Sequence, residues 1–157
     1  MLGESTAAGD DVAQIADIVH AFFAAFTSGP DCVQRLEALK TRFLAGASIV
    51  RTCGDEPTLY DVDAFIDPRR RLLTEGALQN FREWELQGNT HVFGDMATHV
   101  CHYAKAGVSG GTAFTARGMK SLQLVRTRAG WRISAVVWDD ERPGVTWDPA
   151  MPASAQD

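Results

Sequence analysis

The sequence predicts an α+β fold, with N-terminal helices packed in a curved antiparallel sheet in the order α-α-β-α-β-β-β-β. Three observations predict it. Val12, Ile15, Val19, Phe22 and Phe26 make an apolar stripe at helical spacing. From Gly76 onward the chain turns strand-like and stays so. Within Gly118–Arg142, the alternating runs Met119–Thr127 and Trp131–Trp138 flank Arg128-Ala129-Gly130, the pattern of a hairpin. Helices first and antiparallel strands last give an α+β layout.

The elements follow in order. Residues 1–9 are small and polar and read as a flexible N-terminus. Asp11, with Gln14 three residues on, resembles a capping box, and Ser28-Gly29-Pro30 stops the first helix. Asp31 can cap a second helix whose apolar positions are Val33, Leu36, Leu39 and Phe43. Ala47–Cys53 reads as a strand and Gly54–Pro57 as a loop. Asp61–Leu73 reads as helix broken near Pro68, with Asp67 as a fresh cap. Leu78–Val92, Met96–Lys105, Phe114–Thr127 and Trp131–Asp139 form a four-stranded meander. The organisation is a single domain over residues 10–142, then an extended tail over 143–157 anchored by Trp147.

Bulk properties narrow the function classes. The 157 residues suit one domain and bury a core without staples. A net charge of −5 argues against nucleic acid, which needs a basic surface. The longest apolar run, Ala21–Phe26, is too short to span a membrane. The N-terminus lacks the basic and apolar regions of a signal peptide. Cys32, Cys53 and Cys101 make neither a disulfide framework nor a zinc motif. The expectation is a cytoplasmic protein with no cofactor and no metal.

Several motifs carry a resemblance. Phe81-Arg82-Glu83-Trp84-Glu85 is similar to an aromatic–x–Glu–x–Glu strand. Phe93-Gly94-Asp95-Met96-Ala97, with His99-Val100, resembles an FGDxAHV turn carrying one extra residue at Thr98. Arg117–Leu124 resembles an RGxxSxQL strand. Gly130–Ile133 and Trp138–Glu141 resemble a closing strand. Together they cover roughly Asp11 to Gly144. They resemble the nuclear transport factor 2-like superfamily, the cystatin-like α+β cone, and within it SnoaL-like bacterial proteins of unknown function. The resemblance implies a cone-shaped cavity. It also implies sheet-to-sheet homodimers, which are common in that superfamily. The superfamily spans isomerases, cyclases, dehydratases and non-catalytic association domains, so fold alone does not give function. Its ketosteroid isomerases use a tyrosine, an aspartate base and a protonated aspartate. Matching places Phe22, Arg51 and Leu122 at those positions. Arg51 stays cationic and cannot abstract a proton, so that mechanism is excluded.

Strand parity assigns faces. On the last strand Trp131, Ile133, Ala135 and Val137 share an inner face, with Asp139 at the mouth. Leu122 and Leu124 face in on the strand before, with Lys120 further along. Ala97, His99, Cys101 and Tyr103 face in on the third, and Arg51 shares the face of Ile49. The pocket-lining candidates are therefore Arg51, Trp84, His99, Cys101, Tyr103 and Asp139. His99 is the candidate acid or base, and Arg51 could hold a ligand carboxylate. The alternative makes His99 a hydrogen-bonded core residue, Cys101 a small filler, and Arg51–Asp139 an ion pair. His102 points away from His99 and Cys101, so the three do not converge on a metal. Leu78, Trp84 and Leu86 are expected to face the core, leaving Glu83 and Glu85 in solvent. Val100, Val125, Val136 and Trp138 fall on the outer face as candidates for a homodimer interface.

Two functions stay open, beside a dioxygenase small subunit that would need a large partner. One is a lyase, cyclase or isomerase acting on a small apolar or carboxylate-bearing ligand. The other is a non-catalytic ligand-binding or dimerisation module.

Overall fold

A computed structural model describes residues 2–148, with side chains from residue 9 onward. Helices α1 (Leu2–Ala25) and α2 (Cys32–Lys40) precede strands β1 (Phe43–Arg51) and β2 (Thr58–Tyr60). Helix α3 (Val62–Thr74) follows, and then β3 (Leu78–Phe93), β4 (Met96–Ser109), β5 (Thr112–Thr127) and β6 (Gly130–Asp140). One six-stranded sheet runs β2-β1-β6-β5-β4-β3. β3 to β6 form the expected meander, and β1 joins β6 in parallel. The tail beyond residue 148 lies outside the described residues.

Of the α1 stripe, Ile15, Val19, Phe22 and Phe26 are buried, joined by Ile18, while Val12 is exposed. The helix begins at Leu2, so Asp11 lies inside it and caps nothing. Its carboxylate instead accepts two hydrogen bonds from the Arg126 guanidinium, at 2.7 and 2.8 Å, and one from Trp131 Nε1 at 3.1 Å. That cluster ties α1 to the β5–β6 hairpin. Hydrogen bonds from Arg126, then Trp131, hold the Asp11 carboxyl below its ordinary range.

Helix α3 is unbroken, with Pro68 inside it. Asp61 caps it, accepting from Ala64 N at 2.7 Å. Asp67, expected as a second cap, pairs with Lys40 Nζ at 2.8 Å. At α2, Asp31 holds the cap position without a side-chain cap bond.

The largest departure from the parity reading lies in β6. Leu124 pairs with Ile133 but Gln123 pairs with Ala135, so Ser134 is an extra residue in the ladder. Before it, Trp131 and Ile133 face the core as expected. Beyond it the faces exchange. Val136 and Trp138 are buried inside the monomer and Val137 is exposed. Val136 and Trp138 are thus core residues and not part of an outer surface. The outer candidates Val100 and Val125 stay on the outer side, exposed and half-buried respectively. β3 shifts register twice, between Gln79 and Arg82 and between Glu85 and Gln87. Glu83 consequently turns inward, while Leu86 is exposed. Among the described residues, no helix is long and apolar enough to cross a membrane.

Candidate functional site

The mouth of the cone holds a cavity of about 230 Å³ between α3 and the sheet. Phe26, Phe65, Leu73, Phe81, Phe114 and Trp138 give it apolar walls, and Glu83, Lys105, Lys120 and Arg69 give it charge. The lining thus combines apolar surface with a few convergent polar groups.

At its floor Lys120 Nζ lies 2.8 Å from Glu83 Oε1, with side chains only 5% and 9% exposed. Glu83 Oε1 is buried, and beyond this ion-pair contact it has no further hydrogen-bond donor among the described residues. The Lys120 ammonium also lies over aromatic rings, 4.1 Å from the Tyr103 centroid and 5.0 Å from that of Trp138. A buried ion pair seldom adds stability over an apolar pair of similar size. Here the pair sits in a cavity whose walls are mainly apolar.

Behind the pair, Tyr103 donates a short hydrogen bond to Asp140 Oδ1, and Lys105 Nζ donates to Oδ2 at 2.9 Å. Gly118 makes this possible. It stands between Tyr103 and Asp140 in register, and a Cβ there would meet Tyr103 Oη at 2.7 Å. Burial, then the Asp140 contact, raises the Tyr103 phenol far above its ordinary value. Burial works to raise the Asp140 carboxyl, but hydrogen bonds from Tyr103 and Lys105 prevail and its net shift is downward. Arg69 donates to Phe65 O at 2.6 Å, with its guanidinium over the Phe65 ring, and burial lowers its pKa.

A second recess, about 330 Å³, opens between α1 and β3. Ala16, Val19, His20, Phe23, Trp84 and His99 line it, together with Glu83 and Glu85. Of the sequence candidates, Trp84 and His99 face this recess. Cys101 is buried close to His99, and Tyr103 lies beneath Lys120. Arg51 and Asp139 line neither cavity. Arg51 pairs with Asp55 at 3.1 Å, and Asp139 with Arg142. The ion pair expected between them does not form. His99 is hydrogen-bonded at both ring nitrogens, to Thr90 at 2.7 Å and Glu85 at 2.6 Å.

Sequence reasoning missed Glu83 and Asp140, because register shifts upstream in β3 and β6 exchange their faces. Lys120 had a signal: it is a charge on the inward row of Leu122 and Leu124, as is Arg126 at the other end of that row.

No family model matches the chain, and no curated protein matches it in sequence. Solved structures do match. An NTF2-like protein with a cystatin-like fold from Novosphingobium aromaticivorans shares 20% identity, covering 88% of this chain and 87% of its own, with a TM-score of 0.70. The fold is the NTF2-like cone. An NTF2-like superfamily protein from Salmonella enterica covers 92% of this chain and 99% of its own, at 12% identity and a TM-score of 0.71. A provisionally named dehydratase of the NTF2-like family from Streptomyces avermitilis covers 85% and 97%, at 14% identity and a TM-score of 0.66. NTF2-like cones of this kind include proteins named as enzymes and proteins of unknown function.

Proposed function

We propose that the cone mouth binds a small, mainly apolar carbonyl compound and abstracts a proton from the carbon beside its carbonyl, as a lyase or isomerase of the SnoaL-like kind. The buried Glu83–Lys120 pair carries this reading. Glu83 is the proton acceptor, its buried Oε1 held by the Lys120 ammonium. Lys120 exchanges Glu83 for the ligand's oxygen and stabilises the enolate charge that develops there. Phe26, Phe65, Phe81 and Trp138 exclude water and strengthen both interactions. The segments that carry the SnoaL-like resemblance support the reading, because they meet here. Glu83 comes from FREWE, Lys120 from RGMKSLQL, and Trp138 and Asp140 from WDDE.

Deuterium exchange tests it. A panel of aromatic and alicyclic ketones and β-hydroxy ketones is incubated with protein in D2O and followed by NMR. Exchange at the α-carbon is expected, falling at least a hundredfold in Glu83→Gln, the low end for a general base. Exchange that survives Glu83→Gln would falsify the assignment. Binding without exchange would favour the non-catalytic module.

A second reading concerns assembly, and one observation favours it. Val50, Val137, Ser121 and Val100 lie in one cross-strand row of the outer face, with Val137 and Val100 exposed. We propose this row as the centre of a symmetric homodimer interface.

A further inference from the structure

The recess between α1 and β3 holds a cluster that the acid–base reading does not use. Glu85, His99 and Cys101 bring a carboxylate oxygen, an imidazole nitrogen and a thiol sulfur within 4.8 Å of one another. His99 and Cys101 are buried, while the Glu85 side chain is one-third exposed at the rim. His99 and Cys101 are alternate residues of β4 and so share a face. The register shift between Glu85 and Gln87 turns Glu85 to that same side.

Gly88 is the second observation. It sits opposite Cys101 in register. A Cβ there would stand 2.7 Å from both Glu85 Oε2 and His99 Nε2. A glycine inside a strand weakens it, and commonly marks a place where something must approach closely. Here it keeps open the volume on which the three donors converge. Thr90, next along the same face, holds the other ring nitrogen of His99 at 2.7 Å from its hydroxyl. A ligating imidazole is typically oriented by such a partner.

We propose that Glu85, His99 and Cys101 form a mononuclear zinc-type metal site whose fourth position opens into the recess. One nitrogen, one sulfur and one oxygen donor suit a tetrahedral divalent transition ion, with bonds of about 2.0–2.3 Å. A thiolate donor disfavours magnesium and calcium. Three protein ligands with one open position is the pattern of a zinc that binds water or a ligand. Ala16, Val19 and Phe23 face that position with apolar surface, and His20 stands on the same wall. Binding replaces the Glu85–His99 hydrogen bond with two metal bonds: the proton of that bond shifts from His99 Nε2 to Nδ1, which then donates to the Thr90 hydroxyl, and the rim position of Glu85 lets it withdraw to make room. The Cys101 proton leaves to solvent as the sulfur–metal bond forms.

The full chain, stripped with a chelator and titrated with Co2+, tests this. One equivalent of cobalt should bind, giving a thiolate-to-cobalt charge-transfer band and tetrahedral visible bands, both abolished by excess Zn2+. Cys101→Ser should lose the charge-transfer band. Glu85→Gln, a rim change that leaves the buried packing intact, should weaken binding at least tenfold, and Gly88→Ala should do the same. Less than one equivalent with no charge-transfer band overturns the proposal. So does a band that persists in Cys101→Ser, since it would come from Cys32 or Cys53, or an affinity unchanged in Glu85→Gln. The glutamate tested at the cone mouth is Glu83, so the two proposals fail separately.

Discussion

At the scale of single residues, two glycines do what no side chain could. Gly118 and Gly88 each sit in the middle of a strand, where they forfeit packing and β-propensity. Each opens a gap through which neighbouring strands' side chains meet: Tyr103 with Asp140 across Gly118, and His99 with Glu85 beside Gly88. Gly118→Ala would place a methyl against Tyr103 Oη and the backbone oxygen of Asp139. We expect it to destabilise the fold by roughly 1–3 kcal/mol through overpacking, read from urea melts. Unchanged stability would mean that the Tyr103–Asp140 contact does not depend on the gap.

At the scale of elements, α1 is held to the β5–β6 hairpin by the Asp11–Arg126–Trp131 cluster. Asp11 has a folded pKa below its ordinary 3.8. Its contribution to stability is therefore complete above that value and is lost as pH falls through the lower folded value. Asp11→Asn should be less stable than the parent near neutral pH. The deficit should shrink as the pH drops below 3.8. Melting both proteins across that range checks the sign, and a deficit that grows on acidification would refute it. The same scale shows what could be read from the sequence. Periodicity reveals α1, the meander and the hairpin, because burying one face forces the pattern. It reveals no bulge, because an extra residue such as Ser134 leaves apolar and polar residues alternating on both sides of it. The ladder of β4 with β5 has no shift, and His99 is buried as its parity predicts, whereas Trp138 and Glu83, both on bulged strands, take the opposite face from the one parity predicts. Arg51 failed for another reason. It stands at the end of β1, where the following turn supplies Asp55 as its partner.

At the scale of the whole molecule, the sheet has an inner face that packs the helices around a cavity and an outer face on which Val137 and Val100 are exposed. If the row they share is the dimer centre, Val137→Glu should shift the mass measured by light scattering from dimer to monomer while leaving the far-UV spectrum intact. A dimer that survives Val137→Glu and Val100→Glu together would dismiss the interface. The segment that carries Trp147 also packs on this side of the sheet. Trp147 lies 4.2 Å from the His102 ring, and its backbone N–H donates to Glu141 Oε1 at 3.1 Å. His102 is therefore buried although it faces away from the core.

The extra residue in β6 gives that strand something like two reading frames. Up to Ile133 odd numbers point inward; from Val136 onward even numbers do. A lineage that lost Ser134 would keep every other residue of the chain. Yet it would turn Trp138 and Asp140 to solvent and bring Val137 and Asp139 into the cone. One codon lost at a silent-looking serine would thus replace the chemistry of the cavity wall wholesale, where many point substitutions would be needed to do the same. In a fold used for many reactions, a single-residue length change in a strand is a short route from one pocket to another.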